Sequence, residues 1–231
     1  MTGSDVVRSV SDAEFARFLR LPPAKLAEEN MAGPAASARE WYARNGRPWT
    51  GTREVALRSV GDTRVELASG AVFSSRALAR RLGRAEAGAA VAVGVSAGPE
   101  VGEEISRRWK EDRPDEAFFL HALASAVTVQ LMDQARAVVC AGHEPSGLAV
   151  LPHFSPGYED WDLSDQKVLG ALIGDLPLEI LDTGALNPVH SMLGLMGLTS
   201  RKDLVAQARE LSPCESCSFS PCAYRRRPYR G

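Results

Sequence analysis

A chain of 231 residues with 45% hydrophobic and 24% charged side chains has the make-up of an ordinary globular protein, long enough for one large domain or a domain with an appendage. Its formal charge of −2 gives no reason to expect a general attraction to nucleic acid, and no charge-free apolar run is long enough to predict a membrane-spanning helix. The first ten residues hold Ser4, Asp5 and Arg8 where a secretory leader needs an apolar core, so a cytoplasmic location is expected. Of the four cysteines, Cys214, Cys217 and Cys222 are packed together, which suits metal or redox use better than a disulfide framework.

Residues 1–50 read as a helical segment rich in Ala, Arg and Glu, broken into short helices at Pro22-Pro23 and Gly33-Pro34. Ser11 to Arg20 and Ala35 to Arg44 are its amphipathic stretches. From Thr52 the texture changes. Val55 and Leu57, then Val65 and Leu67, alternate with polar residues around Gly61-Asp62, which predicts a hairpin. A short helix is expected over Ser75 to Leu82, a buried strand over Ala89 to Val95, and a helix opened by Pro99. Asp115 to Val139 reads as a long helix, apolar nearly all round and therefore central. Beyond it come a short strand at Leu148 to Leu151 and a turn at Ser155 to Tyr158. A helix over Ser164 to Ile173 follows, capped by Asp162. Leu176 to Leu181 and Ser191 to Leu198 are candidate strands, the second equally helical by propensity. The mixed order without a repeating β-α unit predicts an α+β fold, a mixed or antiparallel sheet around a long central helix. A core over 51–212 and a Cys/Arg-rich tail over 213–231 complete the expected organisation.

Two groups of residues carry chemistry on their own. His121, Ser125 and Thr128 fall on one face of the long helix, either a polar stripe lining a cleft or buried groups satisfied by neighbours. Cys214, Cys217 and Cys222 offer three thiolates, a ligand set for zinc or an iron-sulfur cluster. Cys140, His143 or an external group is the candidate fourth ligand. Arg225 to Arg227 beside them would lower the thiol pKa values and favour reactivity. The alternative is a reduced end without metal.

The stretch His153-Phe154-Ser155-Pro156-Gly157-Tyr158-Glu159-Asp160-Trp161 resembles the S-adenosylmethionine-binding turn of the activation (reactivation) domain of cobalamin-dependent methionine synthase. That family has Arg-x-x-x-Gly-Tyr, and its short stand-alone members have Ser-Pro-Gly-Tyr followed by Asp-Trp; here His153 stands in the arginine's place. Three more pieces follow in family order: Ser96 to Glu100 at a strand-to-helix junction, Pro188 to Ser191 with Gly194 and Gly197, and the cysteine tail through Arg226. The aspartate and glutamate that the family resemblance leads us to expect near His121 and Val129 are missing.

The resemblance implies a protein that binds S-adenosylmethionine and supports reductive methylation of a corrinoid. A partner methyltransferase would hold the corrinoid, since no Asp-x-His-x-x-Gly signature is present, and a flavodoxin-type donor would supply the electron. It implies that Gly157 lets the backbone approach the cofactor, that Tyr158 packs on it, and that His153 or Ser155, within the turn completed by Pro156, meets its carboxylate. Arg201 is an alternative carboxylate partner and Glu100 a candidate for the ammonium. A histidine gives one hydrogen bond where an arginine fork gives two, and is charged only near its pKa. Two other functions share these residues. One is a stand-alone S-adenosylmethionine-consuming lyase or alkyl transferase with His121, His153 or His190 as base; the other is a non-catalytic metal or iron-sulfur module built on the tail.

Overall fold

A computed structural model of the chain describes residues 2–158 and 160–205. It opens with helices α1 (Gly3–Ser9), α2 (Asp12–Leu19) and α3 (Glu29–Asn45), with a 3-10 turn at Pro23–Ala27. Strands β1 (Trp49–Val60), β2 (Arg64–Leu67) and β3 (Val72–Ser74) follow, then α4 (Arg76–Arg84), β4 (Ala89–Ser96), α5 (Glu100–Lys110) and α6 (Pro114–His143). Strand β5 (Ala149–Val150), helix α7 (Gln166–Ile173), short strands β6 (Glu179–Ile180) and β7 (Leu186–Asn187), and strand β8 (Ser191–Thr199) close the described fold. The class is α+β, as the sequence predicts. No helix among the described residues is long and apolar enough to cross a membrane.

The chain divides into two compact units, and each draws on three separated stretches. The first comprises Met1–Thr50, Val95–Asp133 and Leu186–Met192. Its helices start where side chains satisfy free N–H groups. Thr2 and Asp5 form a reciprocal capping box on α1, and Ser11 accepts from the Glu14 N–H on α2. The carbonyls near the end of α1 are met by Arg39 of α3, whose Nη1 lies 3.1 Å from the Val7 and Val10 oxygens while Nη2 holds Asp12 at 2.8 Å. Phe15 meets Phe119 edge to face, and the buried Tyr42 hydroxyl donates to the Ala97 carbonyl at 2.8 Å.

The break expected at Gly33-Pro34 does not occur, because α3 runs through Pro34. Pro34 is the sixth residue of the helix, so the one bond it forfeits falls on the carbonyl of exposed Asn30, which water can reach. Further on, residues 122–129 of α6 are all buried, as an all-round apolar helix requires.

The second unit comprises Gly51–Gly94, Gln134–Ala185 and the residues from Leu193. It carries most of a six-stranded sheet in the order β3-β2-β1-β4-β8-β5. Strands β1 and β2 pair antiparallel with Leu57 opposite Leu67 and Val60 opposite Val65, the expected hairpin, with a bulge at Leu57/Ser59. β3 pairs antiparallel with β2, and β5 with β8. β4 and β8 are buried along most of their length, which explains their unbroken apolar sequence. The helix-or-strand ambiguity at Ser191 to Leu198 resolves as strand. The strand expected over Leu176 to Leu181 shrinks to β6, because the chain reverses at once: the Leu181 N–H bonds the Ala185 carbonyl at 2.9 Å. Ser75 caps α4 through the Leu78 N–H, and Asp162 holds the Ser164 N–H ahead of α7.

Candidate functional site

In the second unit the segment after β5 lies along β8. Phe154 and Leu195 exchange both backbone hydrogen bonds, at 2.9 and 2.8 Å. The next four residues form a β-turn in which the Tyr158 N–H donates to the Ser155 carbonyl at 3.0 Å. Pro156 supplies the fixed φ of the second position and Gly157, at φ +89°, the left-handed third, which is the type II pattern. Trp161 closes the segment, accepting from the Gly157 N–H at 2.8 Å and donating to the Tyr158 carbonyl at 3.0 Å. The Gly157 and Tyr158 N–H groups are thus committed within the turn.

Gly194 of β8 sets how closely this segment lies. A Cβ there would sit 3.1 Å from Ser155 Oγ and 3.3 Å from the Phe154 carbonyl. Ser155 is 3% exposed, and its hydroxyl is one of five buried side-chain polar atoms without a hydrogen-bond partner among the described residues; it is the one within the turn. Tyr158 is half-buried, edge-on to Phe154 with centroids 5.7 Å apart, and His153 is tilted against it at 6.3 Å.

Beneath the turn is an aromatic floor. Phe154 and Trp161 stack at 5.8 Å and 9°, and Phe73 meets Trp161 edge-on. The guanidinium of Arg81 lies 5.0 Å from the Phe154 ring centroid. Arg81 is 7% exposed and was missed by sequence reasoning; its signal is a charge on the buried stripe of α4, between Leu78 and Ala85. Asp160 holds Ser75 Oγ at 2.9 Å, the Arg76 N–H at 2.8 Å and the Ala77 N–H at 3.0 Å, tying the turn to the start of α4. Partial burial pushes the Asp160 pKa up, but the hydrogen bonds from Ala77, Ser75 and Arg76 outweigh it and leave it below the usual range. Trp161 donates to Asp165 at 2.9 Å and is buried floor.

In the first unit a second cluster forms where α6 meets the segment before β8. Nε2 of buried His190 lies 3.1 Å from Nδ1 of exposed His121. The His190 carbonyl accepts from the Ala97 N–H at 2.8 Å, Thr128 at 3.1 Å and Ser96 at 3.3 Å, and Ser191 donates to Ser96 at 2.8 Å. Ser125 donates to the His121 carbonyl at 3.0 Å. The stripe read on α6 therefore has its hydroxyls on carbonyls and its histidine against a second histidine. Burial, with the His121 charge adding to it, pushes His190 down to about 4, and burial lowers His121 as well. Glu100 of the same unit accepts from the Arg47 N–H at 2.6 Å and abuts the Gly98 turn.

The remaining candidates are spread out. Arg201 is paired with Asp203 at 2.9 Å and Glu86 at 2.8 Å, so its guanidinium is committed. His143 bonds Glu54 at 3.1 Å, and Cys140 is a half-buried free thiol. Cys214, Cys217, Cys222 and the arginines beside them lie outside the described residues. Among the described residues, no three or more His, Cys, Asp or Glu side chains are grouped to hold a metal ion.

No family model and no curated protein matches the chain. Among solved structures it is similar to the MetH reactivation domain, crystallised bound to AdoHcy. The TM-score is 0.65 at 13% identity, covering 85% of this chain and 76% of that one. At that identity the likeness is one of fold.

Proposed function

We propose that this chain binds S-adenosylmethionine at the turn Ser155 to Tyr158 and supports reductive methylation of a corrinoid carried by a partner methyltransferase. The observation that carries the reading is the unpaired Ser155 hydroxyl. A buried polar group without a partner costs about 1–3 kcal/mol, and a bound carboxylate offers it the missing acceptor. The fold likeness to a domain crystallised with AdoHcy, the demethylated form of this cofactor, supports the same reading.

The residues present suit the cofactor, though not through the turn's own N–H groups. With those N–H groups committed, the turn offers the cofactor carbonyls, which suit its ammonium. Its carboxylate falls to Ser155 and His153. Tyr158 supplies the flat wall for the adenine. Glu100, in the other unit and holding the Arg47 N–H, is given no contact. Bound cofactor supplies an electrophilic sulfonium methyl group; the chain's own task is to bind and orient it. Corrinoid and electron come from partner proteins.

The test is calorimetry on full-length, anaerobically purified protein. One cofactor should bind per chain, and Tyr158→Ala should weaken binding by about 1–3 kcal/mol. Ser155→Ala should lose affinity without losing stability, because it removes a group unpaired in the free protein. Absence of binding refutes the proposal, and cofactor breakdown by the protein alone transfers it to a stand-alone enzyme.

A further inference from the structure

We propose that His121 and His190 form a two-nitrogen chelating site for an imidazole-preferring divalent cation, copper(II), nickel(II) or zinc. Their ligating atoms, Nδ1 of His121 and Nε2 of His190, come from positions 69 residues apart and stand 3.1 Å from each other. Two imidazoles bound to one ion at the usual metal–nitrogen distance of about 2.0–2.1 Å subtend about 100° at that separation, between square-planar and tetrahedral angles. Rotation about χ2, a soft torsion for histidine, turns the two nitrogens from their mutual hydrogen bond towards a shared point. The ring planes already cross at 66°.

The surroundings favour a preset pair. The His190 backbone is held at its carbonyl by the Ala97 N–H and the Ser96 hydroxyl, with the Thr128 hydroxyl shared between this carbonyl and that of Ala124. His121 sits on the rigid, buried part of α6, yet is itself exposed, giving an entry path and leaving the remaining coordination positions to water or a small ligand. One of the two facing nitrogens carries the proton of their hydrogen bond in the free protein; binding an ion requires that ring's N–H on its far nitrogen, so that both N–H groups stand on Nε2 of His121 and Nδ1 of His190. An all-nitrogen pair selects late first-row ions over magnesium and calcium, which take oxygen ligands. This site is independent of the cofactor reading: a chain that fails to bind S-adenosylmethionine can still chelate the ion.

The test uses full-length protein carrying Cys214→Ser, Cys217→Ser and Cys222→Ser, which removes the tail thiols as competitors. Nickel(II) is titrated by calorimetry, and substoichiometric copper(II) is added while the ring protons of the four histidines are followed by NMR. One nickel ion should bind per chain. The His121 and His190 signals should broaden ahead of His143 and His153, and magnesium should produce neither effect. His121→Ala, at an exposed position, should lower nickel affinity at least tenfold, and His190→Gln should do the same if it folds. Unchanged affinity in His121→Ala, or broadening that begins at His143 or His153, overturns the proposal.

Discussion

Replacing Asp160 with alanine isolates the link between the turn and α4. The carboxylate receives three hydrogen bonds, from Ser75 Oγ and the Arg76 and Ala77 N–H groups, all at 2.8–3.0 Å. Hydrogen bonds to a charged group are worth about 1.5–3 kcal/mol each when shielded. Asp160 is exposed, so water takes over part of this role for Arg76, and Ser75 keeps its cap on the Leu78 N–H. A net loss of about 2 kcal/mol follows for the alanine variant, and about half that for Asp160→Asn, which keeps one acceptor. For a protein of this size that lowers Tm by about 4–8 °C. The loss must also depend on pH. Because the folded pKa lies below the unfolded value of about 3.9, the carboxylate's contribution is full above that value. It fades as pH falls through the folded pKa, so wild type and variant converge in acid. Urea unfolding followed by circular dichroism at neutral and acid pH measures both effects. A variant within about 0.5 kcal/mol of wild type at pH 7 would show that the tie does not hold the turn.

Gly157→Ala places a side chain at φ +89° and its Cβ 3.3 Å from Leu163, so a stability loss of about 1–2 kcal/mol is expected with weaker cofactor binding, both read by melting with and without S-adenosylmethionine. His190, held down to about 4 against an unfolded value near 6.5, predicts stability that is full above about pH 6.5 and falls by about 3 kcal/mol towards pH 4, as only the unfolded chain takes up the proton. In His190→Gln that part of the pH dependence should vanish, which parallel denaturant curves would measure. A retained slope assigns it to other groups.

Much of this fold is written locally. Alternation at Val55, Leu57, Val65 and Leu67, punctuation at Gly61-Asp62, the Ser75 cap and Pro99 each specify an element from a few neighbouring residues. What stayed hidden depends on contacts between distant ones. The strand state of Ser191–Thr199 is not set by its Met- and Leu-rich composition. It is set by its pairing place between β4 and β5 in the sheet, where Gly194 and Gly197 let Ser155, Leu82 and Leu151 lie close. Pro34 reads as a break because its cost depends on whether water reaches Asn30, which propensity does not record. At the candidate site, Pro-Gly announces a turn, but the engagement of its N–H groups by Ser155 and Trp161 is not encoded in the dipeptide. Nothing in composition singles out Arg81, although its place between the buried Leu78 and Leu82 of α4 marks an inward position. The pairing of His121 with His190 bridges 69 residues, which no periodicity reveals.

The division of the chain has a consequence for its synthesis. Each compact unit interleaves stretches taken from the beginning, middle and end of the described sequence, and the first is not complete until Leu186–Met192 has been made. The ribosome therefore releases the N-terminal helices, with Phe15 and Tyr42 on their inward faces, well before Phe119 and Ala97 are available to cover them. Neither unit has a folded precursor encoded by an unbroken stretch. Severing the chain within α6 should yield two insoluble fragments rather than two working halves, and recovery of both units together depends on co-expression or on the intact polypeptide.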